Sequence, residues 1–369
     1  MARTLFIFMI VSQIGFSQTW SGEVGDSLWN PSSNSIVFSL NNFENTLVVS
    51  GAFTSVGSLT VNAIAKWDGE NWYVIGSGAT MGTPNSVGKI DSLLVAGGNF
   101  YEMGNTEGTR RLAIWDGVIW QGPSIGEVGF VVYDIDIFDN KLFIGGEFSN
   151  IGSYTFDKIA AFDGTNWINV GSCGSWVRTL EVYNGELYAG GYFGIKKFNG
   201  TSSWTVPYGG VDGRVMVMKT DTFNNFLYVG GSFDYVGDDT LSSCAAMWDG
   251  FSWNSLGYVI NCDVMAQAME IYRGDLYVGG CFETLYNGLN VNYIARWDGE
   301  QWNKVGNGFD AYVSAMGTFQ DELYVGGYFT YVDDTIRAYG LARWHMPDTS
   351  CNYIKPRVQT LTDTFYLNS

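Results

Sequence analysis

The chain contains a single histidine, His345. Zinc, copper and non-haem iron sites that need two or three imidazoles are therefore excluded. A serine or cysteine nucleophile has no histidine base outside the C-terminal region, and no Gly-x-Ser-x-Gly elbow occurs. The 37 acidic residues could supply a carboxylate pair for glycoside hydrolysis, but their number singles out no pair. Asp238-Asp239 and Asp333-Asp334 read as solvated acidic loops in preference to calcium ligands, and no metal or cofactor is expected. Aromatic rings and cations remain. Aromatic faces stack on pyranose rings, and guanidinium or ammonium groups pair with carboxylate or sulfate. The candidates are Trp176 and Arg178 in "GSCGSWVRTL", the basic pair Lys196-Lys197, and Tyr208, Arg214, Phe309, Asp310 and Tyr312.

The elements that must position these residues are repeats. The segments LVVSGAF, LVAGGNF, LFIGGEF, LYAGGYF, LYVGGSF, LYVGGCF and LYVGGYF are seven copies of one strand, with last glycines at Gly51, Gly98, Gly146, Gly191, Gly231, Gly280 and Gly327. The steps between them run from 40 to 49 residues, the length of one small sheet. Each copy is followed by an aromatic-Asp-Gly turn or a relative of it, from Trp67-Asp68-Gly69 to Trp344-His345-Met346. Six lead on to a second tryptophan: Trp72, Trp120, Trp167, Trp204, Trp253 and Trp302. Alternation and turn residues divide each unit into strands a to d; in unit seven a is 312–319, b 323–329 and c 340–344, and d is missing. Trp29, ahead of strand a of unit one, is expected on the missing strand d. The expected fold is all-β: a seven-bladed β-propeller of four-stranded antiparallel blades, closed by an N-terminal strand that completes the last blade and removes free edges.

The double glycine on strand b and the paired aromatics on c and d resemble the kelch-type propeller, over roughly Trp29 to Trp344. The sequence departs from that pattern in placing tryptophan before Asp-Gly and in adding a Phe-x-x-hydrophobic-Gly step after strand b, as in Phe53 to Gly57. It is similar to the variant of secreted bacterial surface proteins that carry C-terminal sorting domains. The WD-type propeller is excluded, since its Gly-His signature cannot recur with one histidine. The resemblance implies a fold with no fixed activity.

Residues 1–17, with Arg3, an apolar run from Leu5 to Val11 and Gly15-Phe16-Ser17, read as a secretory signal cut before Gln18. Export to the surface or medium is the expectation, without membrane insertion after cleavage. Residues 18–346 form the propeller, and 347–369 a linker with the possible start of a further β domain, so the chain is expected as a monomer or part of a longer surface protein. Of the five cysteines, Cys173, Cys244, Cys262, Cys281 and Cys351, the last is expected to form no disulfide within the propeller. A formal charge of −18 makes nucleic acid a poor partner.

Twelve of fourteen tryptophans fall on the repeat when Trp29 is counted, and packing between blades accounts for them; Trp20 and Trp176 fall outside it. From the last glycine of strand b to the turn aromatic, six units span 16 or 17 residues and unit four only 7. A notch is therefore expected over blade four, on the face carrying the d-to-a and b-to-c connections and the channel mouth. Trp176, Arg178 and Lys196-Lys197 fall beside it, and a glycan or protein ligand is expected there. The leading expectation is a non-enzymatic binding or scaffolding propeller; the alternatives are a carbohydrate-active enzyme using carboxylates at the channel mouth, and a plain spacer.

Overall fold

The computed structural model describes residues 19–22, 24, 28–29, 35–123, 126–257 and 265–345. The signal segment, Cys262, Cys351 and residues 347–369 lie outside them. Seven four-stranded antiparallel sheets, each ordered a-b-c-d, are arranged around a central channel. The fold is a seven-bladed β-propeller. The inner strands are Ile36–Phe43, Ala79–Ile90, Val132–Phe138, Val177–Tyr183, Arg214–Asp221, Ala266–Tyr272 and Val313–Phe319. Strands a and c enter from the face that carries the d-to-a and b-to-c connections, here called the upper face. The short a-to-b and c-to-d turns lie on the lower face.

The repeat residues are explained by how blades meet. A Cβ on the first glycine of strand b would run into the strand-a valine of the next blade: Gly145 into Val177, Gly190 into Val215, Gly279 into Val313 and Gly326 into Val37. A Cβ on the second glycine, as at Gly191, would strike the strand-a carbonyl of Trp176, where the register shifts between Val177 and Thr179. One glycine therefore admits the neighbouring blade and the other a β-bulge. Blade one has Ser50 at the first position, and it faces Pro84 of blade two, the one strand a with proline in the valine place; Ser50 Oγ donates to Pro84 O at 3.4 Å. In the c-to-d turns the aspartate Oδ1 accepts two backbone amides, as from Glu70 and Asn71 to Asp68 at 2.8 and 2.7 Å. Those bonds hold the Asp68 carboxyl below the usual carboxylate range.

The aromatics on strands c and d pack as pairs, from Trp67–Trp72 at 5.1 Å between ring centroids to Trp297–Trp302 at 5.4 Å. All but one of the strand-d indoles also reach the preceding blade: Trp120 Nε1 donates to Ile75 O, Trp204 to Val170 O, Trp253 to Tyr208 O and Trp302 to Leu256 O, at 2.8 to 3.0 Å, whereas Trp167 Nε1 of blade three is buried without a hydrogen-bond partner among the described residues. The seventh member of this series corrects the sequence expectation. The strand completing blade seven is Thr19–Ser21, and Trp20, not Trp29, stands opposite Trp344. Trp20 lies 4.7 Å from the Trp344 ring, is 4% exposed, and donates Nε1 to Val305 O of blade six at 3.2 Å. Trp72 of blade one then donates to Val24 O at 2.9 Å, which carries the series across the closure. Leu28–Trp29 instead pairs with Ser55–Val56 in a small three-stranded sheet formed with the b-to-c connection of blade one.

Closure thus rests on a three-residue strand whose one large side chain is Trp20. Trp20→Ala is expected to cost about 3 to 5 kcal/mol, as for other buried tryptophans, read as a lower denaturation midpoint at unchanged slope. A variant as stable as the parent would show that the ring is held shut elsewhere.

Candidate ligand-binding face

Blade four lacks what other blades carry above strand b. Its strands Glu186–Gly191 and Gly194–Phe198 are joined by Tyr192 and Phe193 alone, and Gly191 pairs with Gly194. Gly194 takes a φ of +81°, which a tight hairpin requires and glycine adopts without strain. Blades one, three, five and seven carry an additional strand pair at this connection, for example Asn150–Ile151 with Tyr154–Thr155. The expected notch is therefore present.

The a-to-b register brings the residue before the strand-a valine beside the residue after the second glycine. In blade four these are Trp176 and Tyr192, with ring centroids 5.0 Å apart at 69°. In blade seven they are Tyr312 and Tyr328, 6.1 Å apart. All four rings are exposed, Trp176 at 39% and Tyr312 at 46%. Tyr293 extends the second pair outward, 5.6 Å from Tyr312, and Phe38 extends it toward the channel, 6.1 Å from Tyr328. Tyr192, Tyr328 and Phe38 are absent from the sequence-derived set.

The other expected site residues are distributed differently. Arg178 lines the channel at its upper end and lies over the Tyr133 ring, 3.9 Å from its centroid. Arg214 lies over Tyr192 at 4.5 Å, so Trp176, Tyr192 and Arg214 form one cluster across blades four and five. Lys196 Nζ donates to Cys173 O at 2.9 Å beside this cluster. Lys197 points to the other end of the blade, where it pairs with Glu186 at 3.0 Å. Tyr208 is exposed on the d-to-a connection, with its hydroxyl toward Asp238. Phe309 is not at the mouth: it is 4% exposed and packed 4.8 Å from Trp20 and 4.2 Å from Phe329, so it is core. Asp310 clamps the loop above it, its Oδ1 accepting from Thr330 N and Tyr331 N at 2.8 and 2.9 Å. Asp212 does the same for Asp234 and Tyr235 in blade five.

The channel encloses about 590 Å³. Strand a is the inner edge of each sheet, so its backbone groups need partners from neighbouring blades. Side chains supply them. Asp134 accepts from Ser86 Oγ of blade two at 2.9 Å and from Leu180 N of blade four at 2.8 Å. Glu181 accepts from Thr220 N of blade five at 2.8 Å, and Lys219 pairs with Glu270 of blade six at 2.9 Å. Burial raises the Asp134 and Glu181 carboxyls above their ordinary range despite these bonds. Asp136 is pushed up to about 8, by burial first and by the nearby Glu181 charge second. Lys219 is raised, because Glu270 and Glu181 outweigh its own burial. Among the described residues no group of three or more His, Cys, Asp or Glu is placed to hold a metal ion.

No family model matches the chain, and no curated protein matches it. Solved structures do. A computationally designed protein, Ika8, matches at a TM-score of 0.52 and 13% identity, over 87% of this chain and all of that one. The extracellular domain described for the hybrid two-component system BT4673 from B. thetaiotaomicron matches at 0.56 and 10% identity, over 89% of this chain and 40% of that one. At these identities the likeness is one of fold.

Asp136 offers a test of the channel electrostatics. Its raised folded pKa favours the neutral acid, so its contribution to stability is full below about pH 4, the ordinary carboxylate value. That contribution is lost progressively as pH rises toward about 8. Asp136→Asn, which mimics the neutral acid, should gain in melting temperature relative to the parent between pH 5 and pH 8. A difference that does not change with pH would contradict this assignment.

Proposed function

We propose that this chain is an exported, non-enzymatic propeller that binds a glycan or protein through its upper face, as a monomer or as part of a longer surface protein. The observation that carries the reading is the pair of exposed aromatic clusters, Trp176 with Tyr192 and Tyr312 with Tyr328, built at the same structural position in blades four and seven. Monomeric proteins seldom leave grouped rings in water without a use for them, and rigid aromatics are what ligand faces use for contact area at low entropic cost. The double-glycine and paired-aromatic repeat supports a kelch-type relationship. The expected cleavage before Gln18 would leave the closing strand Thr19–Ser21 whole, which supports the secretory reading.

Binding is favoured over carboxylate catalysis at the mouth by the state of the carboxylates. Asp212 and Asp310 each hold two backbone amides of the b-to-c connection of their own blade, and Asp134 and Glu181 hold inner-strand amides. The test is a glycan array and a surface-protein panel probed with the purified propeller and with a Trp176→Ala, Tyr192→Ala variant. The expected result is a ligand that the variant loses at unchanged melting temperature. A variant that loses stability, with no ligand found for the parent, would assign the rings to packing and favour a spacer.

A further inference from the structure

We infer that the ligand of this face is an acidic polysaccharide, held by an arc of arginines over blades two to five; the inference rests on the binding role proposed above. Eight arginines are described. Arg273, Arg296 and Arg343 pair with Asp321, Asp275 and Glu322, at or toward the lower ends of their blades. Arg110, Arg111, Arg178, Arg214 and Arg337 form no ion pair among the described residues, and all five belong to the upper side. In a chain of formal charge −18, cations left without carboxylates on one face are unexpected from composition alone.

Four of the five form a continuous series. Arg110 lies over Tyr101 at 5.2 Å. The next three pairs cross successive blade boundaries: Arg111 of blade two over Phe130 at the entry to blade three at 5.3 Å, Arg178 of blade four over Tyr133 of blade three at 3.9 Å, and Arg214 of blade five over Tyr192 of blade four at 4.5 Å. A guanidinium lying over a ring is fixed in orientation. Arg111 already donates Nη1 to Gly129 O at 3.1 Å and lies within the influence of Glu127, so Arg178 and Arg214 are the members placed to make paired hydrogen bonds to a planar oxyanion. The missing strand pair of blade four leaves this path open where Arg178 and Arg214 stand.

The rings between the cations favour a sugar chain over an acidic peptide. Phe130 is 48% exposed, and Trp176 meets Tyr192 at 69°, so neither of those two rings is sandwiched by the other. An apolar ring beside each cation matches a chain in which every pyranose has a C–H face and some carry a carboxylate or sulfate. The screening length of about 8 Å at physiological salt lets the local arginines act against the acidic body.

The test measures binding of the whole chain to four immobilised polymers at 0.15 M salt: polygalacturonate, dextran sulfate, dextran and polyglutamate. Binding to polygalacturonate or dextran sulfate is expected, the stronger of the two identifying carboxylate or sulfate as the group read, with weaker binding to dextran and polyglutamate. Arg178→Gln with Arg214→Gln should weaken it by about tenfold or more at unchanged melting temperature. Lysine at both positions should restore part of the loss, since charge returns without the planar fork. Binding to dextran but to neither acidic glycan would overturn the arginine inference and leave the glycan reading standing. Polyglutamate binding as strong as either glycan would replace the sugar by a peptide, and glycan binding indifferent to the arginine changes would overturn the site. Binding to none of the four, together with a blank array and panel, would remove the binding role itself.

Discussion

Every blade of this protein is a sheet with two apolar faces, and each face is buried only by the next blade. Ring closure is therefore the constraint on which the rest depends, because an open ring would expose two sheet faces at once. Closure is made by three residues, Thr19–Ser21, and by an indole that repeats what its counterparts do elsewhere: Trp20 packs on Trp344 and reaches back to Val305 of blade six. The same contact passes from blade to blade through Trp72, Trp120, Trp204, Trp253 and Trp302. The first glycine of each double glycine lets the blades approach closely enough for these contacts to form, as Gly190 does for Val215.

A ring held in this way leaves its connections free to vary. On the lower side they stay short, capped by aspartates such as Asp68. On the upper side they differ from blade to blade, and that is where exposed rings and unpaired arginines collect. The inner edge is occupied by structural work: Asp134, Glu181 and the Lys219–Glu270 pair join neighbouring strands a. Carboxylates engaged in this way are held by groups on two blades at once. The surface able to meet a ligand is thus set by loop residues around the mouth, above a channel whose walls are already committed.

Much of this was legible in the sequence because the repeat is a record of backbone geometry. Seven copies of strand b, six with a glycine pair and one with Ser50-Gly51, and seven turn aromatics define the blade count, the strand order and the notch of blade four. Trp29 misled for a physical reason. Elsewhere a strand-d tryptophan precedes the inner-strand valine position by 10 to 13 residues, whereas Trp20 precedes Val37 by 17 and Trp29 by 8. The first connection is longer because it contributes Leu28–Trp29 to a separate small sheet. Phe309 could not be sorted by type, since an aromatic in a d-to-a loop can face either water or the closing tryptophan. Tyr192 was missed although a signal existed: the residue after the second glycine faces the residue before the inner strand, a pairing that Tyr312 and Tyr328 repeat. The arginine series had no sequence signature, because each pair joins residues of different spacing across a blade boundary.

The central claim is that the upper face between blades two and five reads anionic groups on a sugar chain. The most direct measurement is a crystal structure of the propeller with an oligogalacturonate. The account predicts the sugar chain lying along the arc, with a carboxylate within about 3 Å of the Arg178 or Arg214 guanidinium and a pyranose against Trp176. An oligosaccharide bound on the lower face, or deep in the channel against Asp136 and Glu181, would contradict it.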